Sequence, residues 1–435
     1  MKNFLHKKIG FFGGNNIKMW TGVRLPNRKT INNGIWMYLL QIFNTIVPLL
    51  TLPYITRVLG ASKYGVFTIA LNVIGYCQVI VEYGFGMSAT RKVALSDKIR
   101  KEINHTFTSI LFSRCILFLG CVLLVMFYMF LEHDDLIQCI CLIVLLVGLF
   151  GACIQQNWLF QGMQDMKYVS LINIISRIIF IVLIFIFIKS ENDLVLYCIL
   201  YTMSSFISGF LGLLFAWKKY HIWFVQIGIN DIIQELKSGW CVFTTSLSSK
   251  VFGAVGITFM GFFTSSMEVG IYSAIQKIPN IIMYAWIPIG QVLYPISSKI
   301  MQQPFSVGRR SIYRVRNIIL PVFIGGSIFV SVFSKTMVEI IFGKEYAKFY
   351  YWVIPLLAWL IVSIDNNFSG IQILLGSGHD RQYSKCFQIG VICTILLNLV
   401  LIYFWGGNGA SVAPVLSEIV LGILLRIEIR KIAEM

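Results

Sequence analysis

The chain has 435 residues, 57% hydrophobic and 13% charged, with a mean hydropathy of +0.77. An ordinary soluble protein carries about 25% charged residues, so a soluble globular fold is excluded and lipid is the solvent for much of the surface. The net charge of +17 is assigned to topology-setting loops and anionic lipid, not to nucleic acid, because no soluble stretch is long enough to carry a nucleic-acid-binding domain.

The first segment, 1–31, is basic and mildly apolar, and its one apolar patch, Ile9 to Gly13, is too short for a signal-peptide core. Met19 shortly precedes the first long apolar run, so residues 1–18 are expected to be dispensable. A spanning helix needs about twenty largely apolar residues. Such runs fall at 35–55, 65–85, 107–131, 136–159, 168–188 and 194–217, then at 239–263, 268–297, 312–333, 347–375, 382–404 and 410–430. The fold class is therefore an all-α integral membrane protein of about twelve transmembrane helices. A first six-helix bundle spans 32–217, a linker 218–238, and a second bundle 239–435. Within the linker, Ile229, Ile232, Ile233 and Leu236 have helical spacing and predict a short amphipathic helix on the membrane surface. Trp36, Trp158, Trp217, Trp223 and Trp352 lie near helix ends and read as interfacial belts.

Cations alternate from loop to loop as membrane topology requires. One side collects the N-terminal segment, the Arg91 to Lys101 loop, Lys218 to Lys237, Arg309 to Arg316, Arg381 and Lys385, and Arg426 to Lys431. The other side holds Arg57, Lys63, Lys189, Lys335, Lys344 and Lys348, with the acidic stretch Glu132-His133-Asp134-Asp135. Both termini are expected in the cytoplasm. The ten cysteines lie in apolar runs without metal-ligand spacing and read as small hydrophobes, so neither disulfide nor metal is indicated and no cofactor is implied.

The two halves echo one another. Tyr64-Gly65-Val66-Phe67-Thr68 at the start of the second helix matches Val269-Gly270-Ile271-Tyr272-Ser273 at the start of the eighth. Asp165 to Tyr168 and Asp380 to Tyr383 share D-x-x-Y before the fifth and eleventh helices. An even number of helices per repeat relates the bundles by a pseudo-twofold axis along the membrane normal, with a substrate cavity between them.

A denser signature runs over residues 35–170. It comprises Trp36-Met37-Tyr38 to Asn44, Pro48-Leu49-Leu50-Thr51-Leu52-Pro53 leading to Thr56-Arg57-Val58-Leu59-Gly60, then Tyr64-Gly65, Glu82-Tyr83-Gly84-Phe85, Ser88-Ala89-Thr90-Arg91 and Trp158-Leu159-Phe160-Gln161-Gly162. This pattern resembles the bacterial O-antigen and polysaccharide repeat-unit flippases, the polysaccharide-transporter branch of the superfamily that also holds the multidrug and toxin extruders. The resemblance implies a V-shaped transporter of the bacterial inner membrane. It implies an undecaprenyl-pyrophosphate-linked oligosaccharide as substrate, moved from the cytoplasmic to the periplasmic leaflet, with a glycan polymerase and a chain-length regulator as further partners and a monomer as the default state.

Such a transporter needs cations for the pyrophosphate, and four lie inside predicted helices: Arg114, Arg177, Lys250 and Lys277. Intramembrane charge is costly and usually faces a wet interior, so these are the candidate substrate-binding residues, with snorkelling as the alternative for Arg114 and Lys277. Glu82, Asp365 and Glu418 are the intramembrane acids and candidate ion-coupling residues; the alternative for Asp365 and Glu418 is a structural ion pair with Lys250 or Arg177, and for Glu82 a helix cap or a pair with a loop cation. Arg57 is a candidate gate, as are Pro48 and Pro53, whose missing N–H groups can hinge a helix, with Pro279, Pro288 and Pro295 in the eighth helix. A multidrug exporter of organic cations would prefer an anionic, aromatic cavity. A membrane-embedded glycan polymerase or transferase would need a sizeable extramembrane domain and clustered catalytic groups, which this sequence does not offer. The reading is a transporter, not an enzyme.

Overall fold

A chain immersed in lipid must satisfy its backbone hydrogen bonds internally, and helices do so without leaving edges. In the computed structural model, which describes residues 28–96, 99–131 and 136–434, every regular element among the described residues is helical. The expected dispensability of 1–18 and the Glu132 to Asp135 turn lie outside the described residues.

The first half contains α1 (Arg28–Glu82), α2 (Phe85–Leu95), α3 (Arg100–Leu131), α4 (Leu136–Ile154), α5 (Asn157–Gly162), α6 (Met166–Phe187) and α7 (Leu194–Tyr220). The second contains α8 (Ile229–Phe263), α9 (Ser266–Ile275), α10 (Lys277–Ile300), α11 (Phe305–Val332), α12 (Ser334–Phe342), α13 (Lys344–Ala347), α14 (Val353–Asn367) and α15 (Asp380–Glu434), with a π-helical run, Phe368–Leu375, extending α14. Among the described residues, ten helical stretches are long and apolar enough to cross a membrane. Two of them bend sharply inside: α1 at Gly60 (φ 72°, ψ 170°) and α15 at Gly406 (φ 52°, ψ −130°). Both conformations are open to glycine and strained for other residues. Counted arm by arm, these give the twelve spans of a multi-pass membrane protein, with two turns made at single glycines.

The linker differs from expectation. Residues 221–228 have no regular secondary structure, and 229–237 form the first turns of α8 instead of a separate surface helix. The Asp231 carboxylate accepts from the Gly228 amide at 2.8 Å, and no proline interrupts the run into the spanning stretch. Trp158 and Trp352 also depart from the belt reading, at 1% and 2% exposure. The Trp352 indole donates to Asn408 Oδ1 at 2.7 Å, so it is spent inside the protein. Trp217 and Trp223 are exposed and meet edge to face.

The prolines of α1 do not break it. Only Gly60 leaves helical geometry, and the helix runs on through both prolines. Pro279 is different. It has no N–H for the Ile275 carbonyl one turn earlier, and α9 ends at Ile275.

The echoed segments meet. A Cβ on Gly65 would overlap the Ser266 carbonyl and lie 3.0 Å from the Gly270 nitrogen, while one on Gly270 would overlap the Ala61 carbonyl and lie 2.9 Å from the Gly65 nitrogen. Thr68 Oγ1 and Ser273 Oγ are 3.3 Å apart. Close approach of this sort depends on small residues, as in membrane helix pairs generally. The seam closes the end of the molecule that carries Gly60. There Arg57 donates to the Ile340 carbonyl and the Ala61 amide to Glu345 Oε2 at 3.3 Å. At the opposite, cation-rich end, Tyr83 stacks on Phe243 at 4.5 Å and Lys92 pairs with Glu235 at 2.7 Å, holding α8 against the first half.

Candidate functional site

A cavity of about 520 Å³ opens within the first half. Its walls come from both arms of α1, from α4, α6 and α7, and from a single residue of the second half, Lys277. The break of the eighth span before α10 sets Lys277 at the head of that helix, where it shares the wall with Asn44, Pro48 and Thr51. Its side chain is reached by water even though protein surrounds it. Arg177, from α6, lines the wall near Tyr201. Lys250 sits at the edge: its ammonium lies 5.3 Å from the Tyr76 ring, and a Cβ on the cavity residue Gly75 would meet it at 2.5 Å. Among the described residues, none of these three cations has an ion-pair partner, and no carboxylate lines the cavity.

The floor is polar and neutral. Gln155 Nε2 donates to Asn173 Oδ1 at 3.2 Å and to Ser208 Oγ at 2.6 Å. Phe67, Tyr197, Tyr201 and Phe180 form an aromatic flank, with Phe67 and Tyr197 edge to face at 4.7 Å. Amides, hydroxyls and aromatic faces suit a sugar; cations without counter-charges suit an anion.

Arg114 stands apart. It is 5% exposed and donates from Nη1 to the Gln155 carbonyl at 2.8 Å and the Cys153 carbonyl at 3.4 Å. Those carbonyls belong to the C-terminal end of α4, where helix acceptors lack partners and the dipole is negative. Arg114 braces the break between α4 and α5 and is absent from the cavity wall, contrary to the expectation of a substrate contact; neither does it snorkel. In the second half, Arg316 on α11 also reaches the next span, at Asp365, two residues before α14 ends.

Asp365 is buried and paired with two arginines, Arg316 and Arg426. Its partners are thus not Lys250 or Arg177. Both arginines look like surface cations in sequence. Glu418 is also buried, but it has no cation among the described residues and accepts from Asn366 Nδ2 at 2.6 Å. Glu82 is exposed at the end of α1 and accepts from the cavity residue Gln78 at 2.9 Å. Arg57 belongs to the closed Gly60 end, Pro48 lines the cavity, and Pro53 lies half-buried in the same arm. Gln155, Asn173, Ser208 and Tyr201 were not singled out by sequence reasoning, since isolated polar residues in apolar helices carry no directional signal.

The fold is similar to that of a solved lipid II flippase, MurJ, in an inward closed conformation (TM-score 0.72, 14% identity, covering 92% of this chain and 87% of that one). It is also similar to an inward-facing multidrug resistance MATE family transporter of the MOP superfamily (TM-score 0.64, 13% identity, 90% and 99%). In sequence the chain is 26% identical over 410 residues to the "Putative O-antigen transporter" of Escherichia coli strain K12, covering 92% of this chain and 96% of the relative. It is likewise 26% identical over 400 residues to the protein of the same name from Shigella dysenteriae, covering 90% and 98%. The family model of the polysaccharide biosynthesis proteins matches residues 30–301, from the first arm of α1 through α10, and the chain belongs to that family.

Proposed function

We propose that this protein flips undecaprenyl-pyrophosphate-linked oligosaccharide repeat units, of the O-antigen or capsule kind, across the bacterial inner membrane by alternating access. The observation that carries the reading is the acid-free cavity lined by two unpaired cations, Arg177 and Lys277, with a third, Lys250, at its edge and a neutral polar floor. The cation-rich end faces the cytoplasm, by the positive-inside rule, so both termini are cytoplasmic and the Gly60 end is periplasmic. Headgroup entry is then cytoplasmic, and release requires parting of the seam at Gly65 and Gly270, with Arg57 and Glu345 as its outer latches. Pro48, at the cavity, and Pro53 lie in the arm that moves with Arg57. The chemistry is binding and movement, not catalysis.

Glu418 is the proposed coupling residue: a buried carboxylate without a cation can take up a proton or a metal ion when the second half rearranges. Asp365, held by two arginines, is the weaker candidate, and Glu82, exposed at the mouth, serves the entrance. The multidrug-exporter reading is disfavoured by the missing cavity carboxylates, since an organic cation would meet only like charge.

The test is deletion of the gene in its host, followed by surface-glycan gels and complementation with wild type, Lys277→Gln and Lys250→Gln. Loss of polymerised glycan with lipid-linked single units accumulating, rescued by wild type and not by the lysine variants at equal membrane levels, supports the reading. Unchanged surface glycan in a host without a second such transporter overturns it.

A further inference from the structure

The cavity cations fall into two stations. Lys250, on α8, and Lys277, heading α10, both come from the second half, Lys277 in the cavity wall and Lys250 at its edge against Gly75. Arg177 stands on α6 in the first half and shares its stretch of wall with Asn173, Ser176 and Tyr201. A pyrophosphate diester carries two negative charges, which the lysine pair already matches. A third cation then remains in a cavity without a carboxylate, and an unneutralised intramembrane charge is costly unless its counter-charge arrives with the ligand.

The surroundings of Arg177 fit a sugar acid. Asn173 lies one turn earlier on α6, and Ser176 and Tyr201 share the wall. Asn173 also accepts from Gln155, which bonds Ser208. A planar guanidinium holds a carboxylate by two parallel bonds, whereas a lysine serves as a point charge for phosphate. The amide and hydroxyl groups beside it can bond ring hydroxyls.

Resting on the flippase reading above, we propose that the transported repeat unit carries an anionic substituent, a carboxylate on one of its sugars, and that Arg177 is the residue that selects it. A neutral unit entering the same cavity leaves the guanidinium desolvated without a counter-ion, and sites that bury an unmatched polar group reject the ligand that fails to match it.

The experiment uses the full chain in lipid nanodiscs and two synthetic undecaprenyl pyrophosphates, one bearing a disaccharide that ends in glucuronate and one its glucose counterpart. Wild type is expected to bind the glucuronate ligand roughly 10- to 100-fold more tightly. Arg177→Gln is expected to abolish that preference by bringing the two affinities together, the glucuronate ligand losing its counter-charge and the glucose ligand no longer meeting an unmatched guanidinium, and continued binding of the glucose ligand reports that the variant is folded. Arg177→Lys should keep a part of the preference, and Lys277→Gln should weaken both ligands alike. Equal binding of the two ligands by wild type, or a preference that survives Arg177→Gln, overturns the proposal. If Arg177→Gln weakens both ligands as Lys277→Gln does, the pyrophosphate itself occupies Arg177; the proposal falls and the flippase reading stands. If neither ligand binds wild type, the flippase reading fails and takes the proposal with it.

Discussion

Gly65→Ala tests whether the closed Gly60 end is a working state. The added Cβ falls inside the van der Waals shell of the Ser266 carbonyl and 3.0 Å from the Gly270 nitrogen. Both obstacles are backbone, which cannot rotate aside as a side chain can, so the two helices have to separate. Overpacking of this kind costs about 1–3 kcal/mol. At about 1.4 kcal/mol per factor of ten, the ratio of closed to open molecules shifts roughly 5- to 150-fold. The open state bears none of that cost, so the population moves toward molecules parted at the Gly60 end. Spin labels at Ser62→Cys and Lys344→Cys, exposed on the two sides of the seam, read the separation by pulsed electron paramagnetic resonance. The background must have its native free cysteines replaced. The expected result is a growing long-distance component together with reduced glycan export, because a cycle that cannot close cannot reload. An unchanged distance distribution with unchanged export would mean that the seam is not formed in the membrane, and the reasoning from Gly65 and Gly270 would fail.

Arg114→Ala should lower the melting temperature of the detergent-solubilised protein, because charged hydrogen bonds to the Cys153 and Gln155 carbonyls are worth about 1.5–3 kcal/mol; an unshifted melting curve would show that the brace is idle. Asp365→Asn leaves Arg316 and Arg426 facing each other without their shared carboxylate, and because both arginines are partly exposed the cost is about 1.5–3 kcal/mol. Adding Arg316→Gln should restore part of that stability, and strictly additive losses would refute the triad. Glu418→Gln strands no cation and keeps a hydrogen-bonding group beside Asn366, so stability should stay within about 1 kcal/mol. Export in vesicles should instead lose its response to collapse of the ion gradients, and a response identical to wild type would remove Glu418 from coupling.

The spans were legible because immersion in lipid constrains each stretch by itself: about twenty apolar residues are required wherever the chain crosses. What joins spans was less legible. The joins fall between the runs 35–55 and 65–85 and between 382–404 and 410–430, which bracket Gly60 and Gly406, but composition does not show that a single glycine makes each turn. Arg114 and Arg177 look alike in sequence, each a single arginine in an apolar helix, yet one meets backbone carbonyls and the other faces a cavity. The difference lies in a neighbouring helix: α4 stops at Ile154, before Gln155 and Gln156, and so offers free carbonyls to α3. Asp365 posed the same difficulty, because its two arginines come from α11 and α15, at the end of loops that read as surface. Echoed motifs told more than lone charges did. The Gly65 and Gly270 segments marked an interface, since a repeat around a twofold axis brings like residues to that axis.

That geometry has the form of a symmetric dimer interface retained within one polypeptide. Gly65 faces Ser266 and Gly270 faces Ala61, while Thr68 meets Ser273 across a separation of 205 positions, which is the reciprocal contact pattern of an isologous pair. Each side of the seam therefore constrains its own counterpart, and neither can gain volume unless the other yields it. Thr68→Ser combined with Ser273→Thr exchanges one methyl group across the axis and conserves the total, so the seam should accept that swap more readily than a second threonine on both sides. The chain behaves there as two copies of one ancestral surface, still fitted to each other.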